Sequence, residues 1–284
     1  MTAASEIAYA KINLALHIRR RREDGYHELE TLFVFAEDGD RLTVMPADED
    51  RLTISGEFAA GLTNGPDNLV LKALASIRKS WRAGQPNVPP LAVHLEKKLP
   101  VASGIGGGSA DAAALIRLVE RHFQLGSDNQ TLLRAHLHLG ADVGACIVSQ
   151  TQIGFGTGDD LHMVDADELR NQPLLLVNPG IPLLTPQVFA GWDGIDRGPL
   201  PDVPASHIAF AGRNDLQPPA IALVPEIGEI LTLLNEQDGS ELVRMSGSGA
   251  TCFAIFSTTE ARDAARGRIS KACPRYWMMA SSIR

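Results

Sequence analysis

Lys11 and Asn13 stand two residues apart within the alternating run Ala8 to Ile18, an ammonium and a carboxamide on the same side of an extended chain. At ~3.3 Å per residue their side chains sit roughly 6.6 Å apart, close enough to meet one ligand together. A solvated polar face on an edge strand is the other reading, since lysine is common there. The stretch from Pro100 to Ala110 reads Pro-Val-Ala-Ser-Gly-Ile-Gly-Gly-Gly-Ser-Ala. Its glycines let successive backbone N–H groups converge on one anion, and the apolar helix that follows adds its own N-terminal donors and dipole. Asp142, in Gly-Ala-Asp-Val-Gly, is a carboxylate just past a glycine that closes a helix. It suits either the N-cap of the next segment or a general base. Tyr26 and His27 leave an Asp24-Gly25 turn, where an aromatic and an imidazole could sandwich and hydrogen-bond a base, or simply pack and face solvent.

Two familiar phosphate motifs are excluded. No Gly-Lys-Ser/Thr ending exists, and a dinucleotide fingerprint started at Gly104 would need glycine where Ser109 stands. His27-Glu28 lacks the second histidine of a zincin helix, and Cys146, Cys252 and Cys273 are far apart and odd in number, which suggests neither a zinc site nor a disulfide framework.

The elements that must carry these residues follow from periodicity. Even positions Ala8 to Ile18 are all apolar, which predicts a strand; Leu29 to Phe35, Arg41 to Met45, Arg51 to Ser55 and Leu91 to Leu99 predict further strands. Asp67 is expected to cap a helix carrying Leu69, Ala73, Leu74 and Ile77, and Ser109 to cap the helix after the glycine loop, with Asp111 in its first turn. Thr131 to Leu139 predicts a helix closed by Gly140. Beyond a change of character near residue 160 come a buried strand at Leu174 to Val177, a short helix from Thr185, helical segments broken by proline over Asn214 to Leu234, a strand, glycine turn and strand over Leu242 to Phe256, a helix at Glu260 to Ala272 and a last strand at Tyr276 to Ala280. The irregular alternation suits an α+β fold of two domains, 1–160 and 161–284.

Composition bounds the partners. The 284 residues carry a net charge of -8, which argues against nucleic acid, and the basic run Arg19 to Arg22 is followed at once by Glu23 and Asp24. No apolar run approaches membrane-spanning length and no leader pattern opens the chain, so no membrane is expected and cytoplasmic residence is the default.

Taken together, Ala-Lys-Ile-Asn-Leu at 10–14, the glycine loop and Met-Ser-Gly-Ser-Gly-Ala at 245–250 occur in the order and separation that resembles the GHMP kinases. Asp-Gly-Tyr-His-Glu-Leu at 24–29, Gly-Ala-Asp-Val at 140–143, Thr-Pro-Gln-Val-Phe at 185–189 and Asn-Asp-Leu at 214–216 narrow the resemblance to the branch whose acceptor carries cytidine diphosphate. The resemblance implies the two-domain GHMP kinase fold, an N-terminal ATP-binding domain and a C-terminal α/β domain on the substrate side. It also implies ATP as co-substrate with Mg2+, and phosphorylation of the 2-hydroxyl of a CDP-linked methylerythritol in isoprenoid precursor synthesis. Lys11 and Asp142 would be the catalytic pair. Asn68, Pro100, Val101, Ala102, Ser103, Gly104, Ile105, Gly106, Gly107, Gly108, Ser109 and Ala110 would hold ATP. Asn13, Tyr26, His27, Thr185, Phe189, Gly247, Ser248 and Gly249 would hold the acceptor. The ligands of Mg2+ are not assigned, and a monomer and a homodimer stay open. Two departures from the family pattern bear on backbone setting: glycines expected at Val101 to Ser103 are missing, and Gly144 replaces a common proline. A mevalonate- or homoserine-type kinase and a non-catalytic nucleotide-binding relative are the alternatives.

Overall fold

The computed structural model describes residues 3–80, 87–128, 132 and 137–284. They fall into two units that the chain enters more than once. One comprises 1–10, 38–101 and 106–149, the other 11–37, 102–105 and 150–284.

Strands β1 (Ala4–Arg21) and β2 (His27–Pro46) pair with each other and contribute to both units. They are longer than the periodicity predicted. The Gly39-Asp40 step does not break β2, because Gly39 lies against the Ala8 carbonyl at a spot where any Cβ would collide. In the first unit the end of β2 pairs antiparallel with β4 (Leu91–Glu96), Arg41 opposite Glu96 through Pro46 opposite Leu91, and β3 (Arg51–Ser55) joins β4 in parallel. Helices α1 (Leu69–Ser80), α2 (Gly107–Phe123) and α3 (Ala141–Val148) complete this unit, α2 packing against both others. The alanines at 110 and 112–114 are all buried and let α2 approach its neighbours closely. Asn68, not Asp67, caps α1: its Oδ1 accepts from Val70 N at 2.9 Å. The helix expected over Thr131 to Leu139 lies mostly outside the described residues, and its end, Leu137–Leu139, is a 3-10 turn.

In the second unit the start of β2 pairs antiparallel with β5 (Gln152–Phe155), which forms a hairpin with β6 (Asp160–Met163). A separate antiparallel sheet has the order β10 (Trp277–Ser282), β7 (Pro173–Asn178), β9 (Cys252–Phe256), β8 (Ser240–Met245). Every residue of β7 and β9 is buried, as expected of strands covered on both faces. Helices α4 (Thr185–Ala190), α5 (Ala205–Ala211), α6 (Gln217–Leu223), α7 (Glu226–Asn235) and α8 (Thr259–Ala272) belong to this unit. Its core gathers Leu16 and Ile18 of β1, Val177, Val188, Ile227, Ile230, Phe256 and Ile269. The proline break in the 214–234 stretch is Pro225, which starts α7, and Thr258 caps α8 by accepting from Ala261 N.

Candidate active site

The alternation in β1 places Ala8, Ala10, Ile12, Leu14, Leu16 and Ile18 inside, and the polar face is covered as well. Lys11, Asn13 and His17 are 4%, 3% and 1% exposed. The solvated-edge reading is therefore excluded. Burying these groups carries a desolvation cost that binding to a ligand or partner must offset. The Lys11 ammonium lies 4.5 Å from the centroid of Phe33, a cation–π contact on strand β2. His17 is held neutral. Its Nε2 accepts from Arg213 N, so Nδ1 carries the proton toward Gly198 O, and burial followed by the Arg213 charge lowers its pKa.

Asn13 has its amide orientation set by its partners. Thr31 Oγ1 donates to Ala15 O at 2.7 Å, so its lone pair must accept Asn13 Nδ2, also at 2.7 Å. Asn13 Oδ1 is left buried and without a partner, an acceptor waiting for a donor. A hydroxyl supplies one.

Three stretches far apart in sequence meet at this point of the second unit. Lys11 N donates to Ile105 O at 3.0 Å, and Asn13 N donates to Ser246 Oγ at 3.1 Å. Ser246 Oγ donates in turn to Gly104 O at 2.9 Å, while Thr251 N donates to Ser103 O at 3.1 Å. The glycines are required by proximity. A Cβ on Gly104 (φ +77) would stand 2.7 and 2.8 Å from Gly249 N and O, and one on Gly247 (φ +54) 2.9 Å from Gly104 O and 3.2 Å from Asn13 Oδ1. Asn214, which the sequence offered only as part of a motif, fastens the turn by donating to Met245 O and Gly247 O, each at 2.8 Å. Thr185 Oγ1 and Ser248 Oγ lie 2.9 Å apart, so these two expected acceptor contacts share a hydrogen bond.

His27 packs on Phe189 with ring centroids 5.0 Å apart and meets the edge of Trp192 at 5.6 Å. Burial, then the Arg21 charge, lowers its pKa, which favours the neutral imidazole with one donor and one acceptor. Tyr26 is 66% exposed at the turn. Trp192 was not singled out by sequence. The sequence places it only in the short helix with Val188 and Phe189, and that helix ends at Ala190, before it.

The glycine loop belongs to both units: Pro100 and Val101 to the first, Ala102 to Ile105 to the second, Gly106 to Ala110 to the first again. Ala102 has φ +51, a left-handed conformation at one of the positions where glycine was missed. Helix α2 begins at Gly107 with Gly106 as its N-cap at φ +65, so Ser109 stands in the first turn and does not cap. A left-handed turn at the cap needs glycine, and serine would be strained there. The N–H groups of Gly107, Gly108 and Ser109 have no carbonyl within the helix to meet, and the dipole adds positive potential beside them. Asn68 uses its amide on α1 and on Thr63 O, the latter at 2.7 Å. Asp142 lies in the first turn of α3, whose N-cap is Gly140, so it is not the cap. Gly144 falls inside the same helix.

Asp111 is not a dipole residue of the first turn. It is buried with Lys97 and Asp40, and Lys97 Nζ donates to Asp111 Oδ2 at 2.8 Å and to Asp40 Oδ2. Asp40 Oδ1 accepts from Lys98 N and from Leu99 N. Burial, tempered by Lys97, pushes the Asp111 pKa up to about 8, so its carboxyl keeps its proton near neutrality. The cluster supports the loop from below, Lys97 Nζ lying 3.4 Å from where Gly107 would carry a Cβ. Strand parity would point to it. Lys97 shares the inward parity of Leu91, Val93 and Leu95, and Asp40 that of Leu42 and Val44.

Among the described residues no group of three or more His, Cys, Asp and Glu side chains converges as a metal site, and no helix is long and apolar enough to cross a membrane. A Mg2+ ion accompanying a nucleotide would rest chiefly on phosphate oxygens and water, its usual mode.

Comparison with known proteins bears on the family. Residues 68–150 match the model of the GHMP kinases N terminal domain and residues 204–275 that of the GHMP kinases C terminal. A 4-diphosphocytidyl-2-C-methyl-D-erythritol kinase of Sphingopyxis alaskensis is 52% identical over 282 residues, covering 98% of each chain, and that of Novosphingobium aromaticivorans is 52% identical over 98% of this chain and 92% of its own. A crystal structure of 4-(cytidine 5'-diphospho)-2C-methyl-D-erythritol kinase superposes with a TM-score of 0.78 at 30% identity, covering 98% of this chain and 99% of that one. A homoserine kinase from Cytophaga hutchinsonii shares the fold at 14% identity and a TM-score of 0.73, covering 100% of this chain and 95% of its own. With relatives this similar over nearly its whole length, the chain belongs to the 4-diphosphocytidyl-2-C-methyl-D-erythritol kinases of the GHMP kinase family.

Proposed function

We propose that this protein transfers the γ-phosphoryl group of ATP to the 2-hydroxyl of 4-diphosphocytidyl-2-C-methyl-D-erythritol, releasing ADP, in the non-mevalonate route to isoprenoid precursors. The observation that carries the reading is the meeting of β1, the glycine loop and the 246–249 turn around the unpaired Asn13 Oδ1. Positioning of this kind, with charge neutralisation, is most of what phosphoryl transfer needs. Asn13 Oδ1 accepts a hydrogen bond from the acceptor hydroxyl and so positions it, and Lys11 stabilises the oxyanion as the proton passes to Asp142. Asp142 serves as the base, and the N-terminus of α2 takes the phosphates. His27 and Phe189 hold the cytosine, with the exposed Tyr26 closing on its other face. We keep the junction of the two family modules near residue 160, a reading supported by family matches at 68–150 and 204–275, although the compact units of the fold interleave along the chain. Cytoplasmic residence goes with this reading.

The test is ADP release from Mg-ATP with the CDP-linked methylerythritol, with mevalonate and homoserine as parallel acceptors and CMP as competitor. Turnover with the CDP-linked acceptor alone, competed by CMP, is the expected result. Turnover on a small alcohol in its place would leave the kinase fold and overturn the cytosine assignment.

A further inference from the structure

The second unit contains a cavity of about 590 Å³, walled on its apolar side by Pro218, Pro219 and Val243 and on its polar side by Arg213, Gln217 and Arg244. The hydrogen-bonding groups around it do not balance. Arg244 is 9% exposed, donates from Nη1 to Leu14 O and Ala209 O, and pairs with no carboxylate among the described residues. Burial with nothing to oppose it lowers its pKa to about 10. Gln217 gives its Oε1 to Met245 N at 3.0 Å, which leaves its NH2 group as a donor. The indole of Trp192, also in the wall, has a buried N–H without an acceptor.

The acids in the wall are already engaged. Asp215 accepts from Arg213 Nε at 2.7 Å and from Ile18 N at 2.8 Å, and Asp193 accepts from Arg197 and from Ile195 N. Three guanidinium groups, Arg197, Arg213 and Arg244, thus face two carboxylates, an excess of one positive charge. A buried cation that lacks a counterion is costly, and a planar guanidinium with spare donors matches an oxyanion in shape as well as charge.

We propose that this cavity binds a small organic oxyanion, a carboxylate or phosphate ester, with its charge on Arg244 and Gln217 and a short apolar body against Pro219 and Val243. Two of its lining residues, Trp192 against His27 and Asn214 on the 246–249 turn, also back the acceptor groups, but Arg244 and Gln217, which would take the anion, are not among those assigned to ATP or to the acceptor. The test is calorimetric titration of the full chain with butyl phosphate, butyrate and butanol. At least one of the two anions binds at least about tenfold more tightly than the alcohol, the effect of one charge-assisted hydrogen bond, and comparison of the two tells a phosphate ester from a carboxylate. Arg244→Gln loses that preference. Because Arg244 also holds two carbonyls, Ala222→Phe, which narrows the cavity without touching them, is the second variant and abolishes binding while turnover of ATP and acceptor is kept. No heat from either anion up to about 10 mM, equal binding of butanol, or unchanged binding in Ala222→Phe overturns the site.

Discussion

Replacing Gly104 by alanine tests whether the glycine loop is held by the 246–249 turn. The backbone at Gly104 has φ +77, and a new Cβ would stand 2.7 and 2.8 Å from Gly249 N and O, with the Ser246 carbonyl also in its way. These are backbone atoms, so no side chain can swing aside. Left-handed backbone costs a residue with a Cβ about 1–2 kcal/mol. Relief of the clash requires the loop to withdraw, which forfeits the Ser246 Oγ to Gly104 O and Thr251 N to Ser103 O hydrogen bonds, each worth about 0.5–1.5 kcal/mol. The sum is about 2–5 kcal/mol of stability. Misplacement of the loop by about 1 Å lowers kcat/KM on the order of 100-fold. Urea unfolding and ADP release measure the two effects. Gly108→Ala is the control, since its Cβ would meet nothing within 4 Å in the protein and alanine favours the helix, so stability rises by about 0.5–1 kcal/mol. If Gly104→Ala is as stable and as active as the unchanged protein, the loop is not held by that turn and the reasoning fails.

Four further outcomes are expected. Asp142→Asn lowers kcat about 10²- to 10⁴-fold with KM for the acceptor little changed; steady-state kinetics with equal turnover would remove it as the base. Thr31→Val leaves Asn13 Nδ2 without its acceptor and raises acceptor KM, whereas Thr31→Ser keeps the hydroxyl and stays near the original value. Ala102→Gly relieves the φ +51 strain, offset in part by glycine's extra freedom when unfolded, and raises the urea midpoint by up to about 1 kcal/mol in stability. Asp111 binds a proton in the folded chain up to about pH 8, far above an unfolded aspartate, so its contribution to stability is complete below about pH 4 and is lost as pH rises through 8. Asp111→Asn, carrying no such proton, gains on the original protein as pH rises from 5 to 8, and parallel unfolding curves for the two across that range would contradict the raised pKa.

Much of the fold was legible because the chain repeats simple periods. The parity of β1, the buried run of β7 and the strand, turn and strand around 246–250 follow from local pattern, since each depends on which face of one element is apolar. Extended to Lys97 and Asp40, the same parity would mark both as inward, but their identities argue for solvent and the pattern was not carried that far. Helix caps were less legible. Asn68 displaced Asp67 and Gly106 displaced Ser109 because a cap is chosen by where the chain turns, and that turn is set by packing around the helix. Pattern alone could not show that the polar face of β1 is covered, that Thr31 orients the Asn13 amide, or that Trp192 meets His27. By itself the sequence determined which groups with chemistry are present and the local elements that carry them. The tertiary structure decided which of those groups meet, because Asn13, Gly104 and Ser246 are brought together by backbone contacts between segments up to 233 residues apart, a distance no local period encodes.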